Sequence, residues 1–241
     1  MKFGIIGYGV VGQATHKFLN EQGLDAYCIV DIKFNVLNNA RLKECDYIFV
    51  CVPTPFTKSF DNSEIHKSLS FLQGFKGVVV FKSTIPLSFY DKIRTLFNFD
   101  RIIYMPEFLN ENTAFNDVSK RPIILGGDYC LTHKLSIDLN LNIQECYFCT
   151  IKDAVNFKYI RNIYGAYKVL FWNFVQETTG NARKMKNMLD LVPQGEMSQV
   201  GMDGELGYGG KCFPKDVQQF LNEHNHELLE FMQKYNLRLR G

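Results

Sequence analysis

The chain has 241 residues, 46% hydrophobic and 22% charged, with 27 Lys and Arg against 25 Asp and Glu for a net charge of +2. That length buries a core without disulfides or metal, the near-neutral balance provides no basic field for nucleic acid, and no uncharged apolar run reaches the roughly 18 residues that span a bilayer. The apolar N-terminus is interrupted by three glycines with no small-residue cleavage site behind it, and seven cysteines are scattered along the chain, so a cytoplasmic protein with reduced thiols is expected.

In chain order, the first short apolar run is Phe3–Ile6, and others follow at 26–30, 47–52, 77–81, 102–104 and 123–125. They are bounded by Gly, Pro or Asp, and several are rich in Val, Ile and Phe, so they read as strands buried on both faces. Segments of helical spacing lie between them, such as 13–23 and 65–72. The alternation predicts an α/β fold, a doubly wound and mostly parallel sheet, over residues 1–150. Residues 153–179 then carry no Pro and one Gly, with apolar positions on more than one face, and read as one long helix. Segments 182–191 and 217–237 read as further helices, with a glycine-rich loop at 201–210 between them. Residues 151–241 are therefore expected to be an all-helical region.

The first strand runs directly into Gly7-Tyr8-Gly9-Val10-Val11-Gly12, and a helical pattern opens behind it. Gly7 permits a tight turn, Gly9 lets backbone amides reach a pyrophosphate, and Gly12 lets helix and strand pack closely. The helix N-terminus adds partial positive charge for the phosphates. Asp31 ends the next strand nineteen residues after Gly12. A carboxylate there accepts hydrogen bonds from ribose hydroxyls and repels a 2′-phosphate. Lys33 softens that preference. The expected cofactor of this Rossmann-like domain is NAD, with NADP disfavoured.

Gly207-Tyr-Gly-Gly-Lys-Cys-Phe-Pro-Lys-Asp216 is the most unusual stretch. Pro214 and Asp216 place a helix start there. Cys212, near that helix N-terminus and between Lys211 and Lys215, is expected to have a lowered pKa, as a nucleophile requires. Cys28, Cys45, Cys51 and Cys130 read as ordinary strand or loop residues. Cys146 and Cys149 form a lone CxxC whose thiols would point to opposite sides of a strand, so no metal site is expected. His224 and His226, beside Glu223 and Glu227, read as a solvated helix face, and His16 as a surface or packing residue. NAD together with a nucleophilic thiol implies a four-electron oxidation. An alcohol loses hydride to become an aldehyde, the thiolate traps it, a second hydride leaves a thioester, and water releases a carboxylate.

These residues resemble the UDP-glucose/GDP-mannose dehydrogenase family. The likeness also rests on Cys51-Val52-Pro53-Thr54-Pro55, Ser83-Thr84-Ile85-Pro86, Pro106-Glu107-Phe108-Leu109 with Glu111 and Ala114, Arg121-Pro122 with Gly126-Gly127, and Lys158 with Asn162. Met105, Ser88 and Asn112 depart from residues usual in the family, and its second doubly wound domain lies beyond the resemblance. What the resemblance implies is oxidation of a nucleotide sugar at its C6 hydroxyl, UDP-glucose to UDP-glucuronate first among candidates, with NAD as cofactor. The apolar surface of the long helix exceeds what a small helical region alone can bury, so part of it is expected to form a homodimer seam. Cys212 would be the nucleophile, Glu107 the base that activates water, and Lys158 and Asn162 the oxyanion donors. Asp216 and Thr84 would order the water and the proton transfers. Val52, Pro53, Thr54, Ser83, Thr84, Glu111 and Lys215 would join the glycine turn in holding NAD. Phe108, Leu109, Asn110, Glu111 and the loop from Asp203 through Leu206, Gly207, Tyr208 and Gly209 would hold the sugar nucleotide. Two other readings stand beside this one. The first is a non-catalytic NAD or nucleotide-sugar binding protein; the second is a two-electron β-hydroxyacid dehydrogenase, which has no use for the Cys212 loop.

Overall fold

The computed structural model describes residues 1–31, 36–37, 39–55, 60–97, 101–108, 122–191, 205–209 and 213–241. The chain divides into two compact units, 1–162 and 163–241, with the division inside one long helix.

The first unit opens with β1 (Phe3–Ile6), α1 (Val10–Glu21), β2 (Ala26–Asp31), β3 (Val36–Leu37), α2 (Asn39–Leu42) and β4 (Tyr47–Val50). It continues with α3 (Ser63–Phe71), β5 (Val78–Phe81), α4 (Leu87–Phe97), β6 (Ile102–Tyr104), β7 (Ile123–Gly127), α5 (Tyr129–Asp138) and β8 (Cys146–Cys149). Among the described residues these strands form one sheet in the order β3-β2-β1-β4-β5-β6-β7-β8. Pairing is parallel except at β2·β3 and β6·β7.

The apolar runs are uninterrupted because both faces of the sheet are covered. Alternate residues point to opposite sides: Ile48 and Val50 of β4 enter one core, Tyr47 and Phe49 the other. Ile65 and Leu69 of α3 and Ile93 of α4 close the first core; Phe18 and Leu19 of α1 and Leu135 of α5 close the second. Each such buried side chain contributes about 2 kcal/mol. Chain order reverses beside β1, which pairs with β2 on one side and β4 on the other. A doubly wound sheet offers its ligand crevice at that point.

The long helix α6 (Ile151–Thr179) is followed by α7 (Ala182–Leu189), α8 (Phe213–His224) and α9 (Glu227–Arg240). In the second unit Phe174 and Val175 of α6, Leu221 of α8 and Leu229 of α9 form a small core. The sequence pattern over 217–237 predicts one helix there, and the structure has two. Asn225 adopts φ 45° after α8. His226 then caps α9, its Nδ1 accepting the Leu228 N–H at 3.1 Å. No helix among the described residues is long and apolar enough to cross a membrane.

Candidate active site

Gly7 leaves β1 with φ +87°, its N–H donating to the Val30 carbonyl at 2.9 Å. A side chain at Gly7 would press on the Cys51 carbonyl, and one at Gly12 would overlap the Gly7 carbonyl oxygen. Gly9, the residue ahead of α1, faces open space. The first turn of α1 carries no acidic residue, so nothing within the turn offsets the positive end of its dipole. A cavity of about 570 Å³ opens over this turn, lined by Gly7, Gly9, Val10, Val11, Asp31, Val52 and Pro53, and on its α3 side by Glu64, Lys67, Ser68 and Phe71. That volume is within the usual range for a small-molecule site, roughly 300 to 1,000 Å³.

Two hydrogen-bonded braces hold the turn. Asp31 accepts the Tyr8 N–H, which fixes its carboxylate beside the glycines. The Tyr8 hydroxyl bonds His16 Nδ1 at 2.7 Å, and His16 Nε2 reaches Asp25 at 2.8 Å. That bond to His16, with the Ala26 N–H, holds the Asp25 carboxyl below its usual range.

The carboxyl ends of β4, β5 and β6 carry a second polar group. Ser83 Oγ donates to the Val52 carbonyl at 2.7 Å, and Thr54 Oγ1 donates to the Thr84 carbonyl at 2.9 Å. These bonds pin the 52–54 loop to the turn after β5. Glu107 lies just past β6, and Lys158 reaches it from α6. The ammonium donates to Glu107 Oε1 at 2.8 Å and also to the Glu107 carbonyl. Lys158 is 4% exposed. Glu107 is half-buried, and removing its carboxylate would strand the buried ammonium at a cost of about 3 kcal/mol. Phe108 stands 5.4 Å from the same ammonium and packs edge-on against Phe157. Lys82 lies in this neighbourhood and is also buried. Burial lowers its pKa, against the pull of Cys51 and Glu107. Burial likewise pushes the Cys51 thiol up to about 11, so it stays protonated at neutral pH.

The expected cofactor residues Gly7, Gly9, Val10, Val11, Asp31, Val52 and Pro53 thus converge on one cavity. Tyr8, Gly12, Thr54, Ser83 and Thr84 brace it rather than line it. Glu107 and Lys158 meet, whereas Asn162, one turn further along α6, is exposed. In the second unit Asp216 and Lys215 pair with each other on the exposed first turn of α8. Leu206 is exposed, while Gly207, Tyr208 and Gly209 are half-buried. Lys33, Leu109, Asn110, Glu111, Asn112, Asp203, Lys211 and Cys212 lie outside the described residues.

Comparison with known proteins identifies the family. Residues 30–139 match the NAD binding domain of the UDP-glucose/GDP-mannose dehydrogenase family, and residues 152–236 match its central domain. The chain belongs to that family. The cofactor is therefore NAD. The residues fit it: open space at Gly9, a helix N-terminus with no acidic residue in its first turn and a carboxylate at Asp31 match a pyrophosphate followed by an unphosphorylated ribose.

Curated relatives in the family include the UDP-glucose 6-dehydrogenase of Campylobacter jejuni, 27% identical over 92% of this chain and 67% of its own length. The Streptococcus pneumoniae UDP-glucose 6-dehydrogenase is 28% identical over 86% of this chain and 56% of its own. The chain thus spans between about a third and two thirds of the length of the curated relatives it matches. Among solved structures, the UDP-N-acetyl-mannosamine dehydrogenase of Staphylococcus aureus superposes with a TM-score of 0.62 at 16% identity, covering 99% of this chain and 68% of that one. The 3-hydroxyisobutyrate dehydrogenase of Mycobacterium tuberculosis superposes with a TM-score of 0.60 at 11% identity, covering 98% and 92%. At those identities the likeness is one of fold.

Three features escaped the family motifs. Lys82 sits directly ahead of Ser83-Thr84, and a lysine ending an apolar strand was the available signal. The α3 wall of the cavity was concealed in an ordinary amphipathic pattern. Asn236, on α9, is a buried amide that no periodicity marks out.

Proposed function

We propose that this protein is an NAD-dependent nucleotide-sugar dehydrogenase that converts a C6 hydroxyl, that of UDP-glucose first, to a carboxylate. The observation that carries the reading is the pairing of Glu107 with the buried Lys158 at the strand ends of a family NAD-binding domain. Bound NAD+ supplies the acceptor for each of two hydrides.

The chain's own groups do the rest. Cys212 adds as thiolate to the C6 aldehyde, forming a carbon–sulfur bond and a hemithioacetal. Loss of the second hydride leaves a thioester. Glu107 takes a proton from water as the water oxygen attacks the thioester carbon, and the carbon–sulfur bond breaks to return the thiol. The sum is one alcohol, two NAD+ and one water giving one carboxylate, two NADH and three protons. An ammonium has three donors, and Lys158 spends two on Glu107, which leaves one for a developing oxyanion. Such a donor is worth on the order of 3 kcal/mol in the transition state. Asn162 would add a second donor, and Asp216 with Thr84 would order the water. The Asp203–Gly209 loop, with Phe108 to Glu111, would hold the sugar nucleotide. The chain would act as a homodimer joined through α6.

The test is NADH yield per UDP-glucose with limiting sugar, beside mass spectrometry of the protein. Two NADH per sugar and a Cys212-linked adduct in a slowed reaction support the reading, and Cys212→Ser should keep NAD affinity while losing turnover. One NADH per substrate with a β-hydroxyacid favours the two-electron alternative. Binding of UDP-glucose with no NADH from it, from UDP-N-acetylhexosamines or from GDP-mannose favours the binding protein.

A further inference from the structure

Helix α9 holds a loop by its backbone. The Tyr208 N–H donates to Asn236 Oδ1 at 2.7 Å, and the Tyr208 carbonyl accepts from Asn236 Nδ2 at 3.0 Å. The same carbonyl accepts from Arg240 Nε at 2.9 Å. A carboxamide carries the donor and acceptor of a peptide group, so Asn236 pairs with Tyr208 as a neighbouring strand would. Arg240 stands one helical turn beyond Asn236, on the same face.

Around this pairing the surface is apolar. Tyr167, Phe231, Met232, Tyr235 and Leu239 line a cavity of about 350 Å³ beside it. Asn236 is 8% exposed, and among the described residues it is the one buried polar side chain of the second unit. Hydrogen bonds in such surroundings are strengthened, and a lost partner is expensive. Leucine would fill the space equally well but would strand the Tyr208 N–H and leave its carbonyl to Arg240 alone. The adjoining residue is equally committed: Gly207 has φ +78°, and any side chain on it would overlap Asn236 Oδ1. Two residues of the loop are therefore shaped around one amide, and the Cys212 segment follows directly in sequence.

We propose that Asn236, supported by Arg240, is a positioning residue that fixes the Gly207–Tyr208 backbone in the conformation in which this loop receives the nucleotide sugar. The inference rests on the functional reading above. Asn236 bonds the Tyr208 backbone, so its effect reaches substrate through that residue.

The experiment uses the full chain, with UDP-glucose and NAD titrated separately by calorimetry and the Tyr208 amide followed by hydrogen exchange. Asn236→Ala should weaken UDP-glucose binding at least about tenfold, the equivalent of about 1.4 kcal/mol. It should expose the Tyr208 amide to exchange and leave NAD affinity within about twofold. Asn236→Asp supplies a readout that a space-filling role would not move, and it serves if the alanine variant does not fold. A protonated carboxylic acid reproduces both bonds of the amide, whereas the ionised carboxylate faces the Tyr208 carbonyl with like charge. UDP-glucose affinity of this variant should therefore recover as pH falls from about 8 to about 5, relative to the wild type. Equal UDP-glucose binding by wild type and Asn236→Ala, a Tyr208 amide still protected in that variant, or a flat pH response in Asn236→Asp each overturns the inference. Wild-type protein that binds NAD but no UDP-glucose overturns instead the functional reading beneath it.

Discussion

A methyl group on Gly12 would overlap the Gly7 carbonyl oxygen, while the same group on Gly9 would stand in open space. The two substitutions should therefore separate folding from binding. Gly12→Ala is expected to lose about 2 to 3 kcal/mol in urea unfolding, since the backbone of the turn must move. Gly9→Ala should cost less than about 1 kcal/mol yet weaken NAD at least about tenfold by calorimetry, because its methyl fills the room a pyrophosphate needs. A Gly9→Ala protein with full NAD affinity would place the dinucleotide elsewhere. Lys82 poses a different question, one of charge. Burial lowers its pKa from 10.5, so over the interval below that value the unfolded chain holds a proton that the folded chain has released. Stability then rises with pH through that interval. Lys82→Met removes the slope and should be more stable than wild type near neutral pH by about 1 kcal/mol, the difference closing toward pH 10. Parallel urea midpoints for the two proteins across that range would refute it. The glycine turn was legible from its spacing, its strand–turn–helix setting and Asp31 together, but Lys82 was not, because one lysine after an apolar strand reads equally well as a charged strand end until its burial is known.

Elements were legible wherever a period ran unbroken. β1, β4 and β5 are buried on both faces and read as continuous apolar runs, and α6 reads as one helix because nothing in 153–179 breaks it. Short pieces were not legible. Among the described residues β3 has two and pairs with β2 alone, too little for any pattern. The junction of α8 and α9 failed for a physical reason: neither Asn225 nor His226 is a strong breaker, and the break depends on a cap made by an imidazole. His226 Nδ1 accepts the Leu228 N–H, its Nε2 reaches Glu177 at 2.8 Å, and its ring meets Phe174 edge-on. His226→Ala should cost about 1 kcal/mol, the usual value of an N-cap, and the pair with exposed Glu177 adds little. His226→Asn retains a capping acceptor and should recover most of the loss. Equal stability of wild type and alanine variant in urea unfolding would show that the cap contributes nothing.

At the scale of the whole molecule, α6 presents an apolar face that its own chain leaves exposed. Ile160, Ile163, Tyr164, Tyr167 and Leu170 recur at spacings of three and four, and Ile163 is 65% exposed. That spacing puts them on one stripe about 16 Å long, the arrangement by which two helices interlock. A patch of this kind on a monomer carries a penalty in solubility that natural sequences avoid unless something covers it. A second copy of α6 would cover it by symmetry, because a twofold axis would set the same stripe against itself. The sequence already indicated an over-wide apolar helix; the structure adds which residues remain outside the chain's own cores. Ile163→Glu places a charge in the middle of that stripe and, in the dimer, repeats it across the axis. Sedimentation velocity at micromolar concentration should show wild type as a dimer and Ile163→Glu as a monomer. The dissociation constant should rise about a hundredfold, the scale of a central interface residue worth about 2.8 kcal/mol. NAD affinity should not follow, because Ile163 does not line the cavity over the glycine turn. A wild-type protein that sediments as a monomer at that concentration, or a variant that remains a dimer, would mean that this stripe does not join two copies.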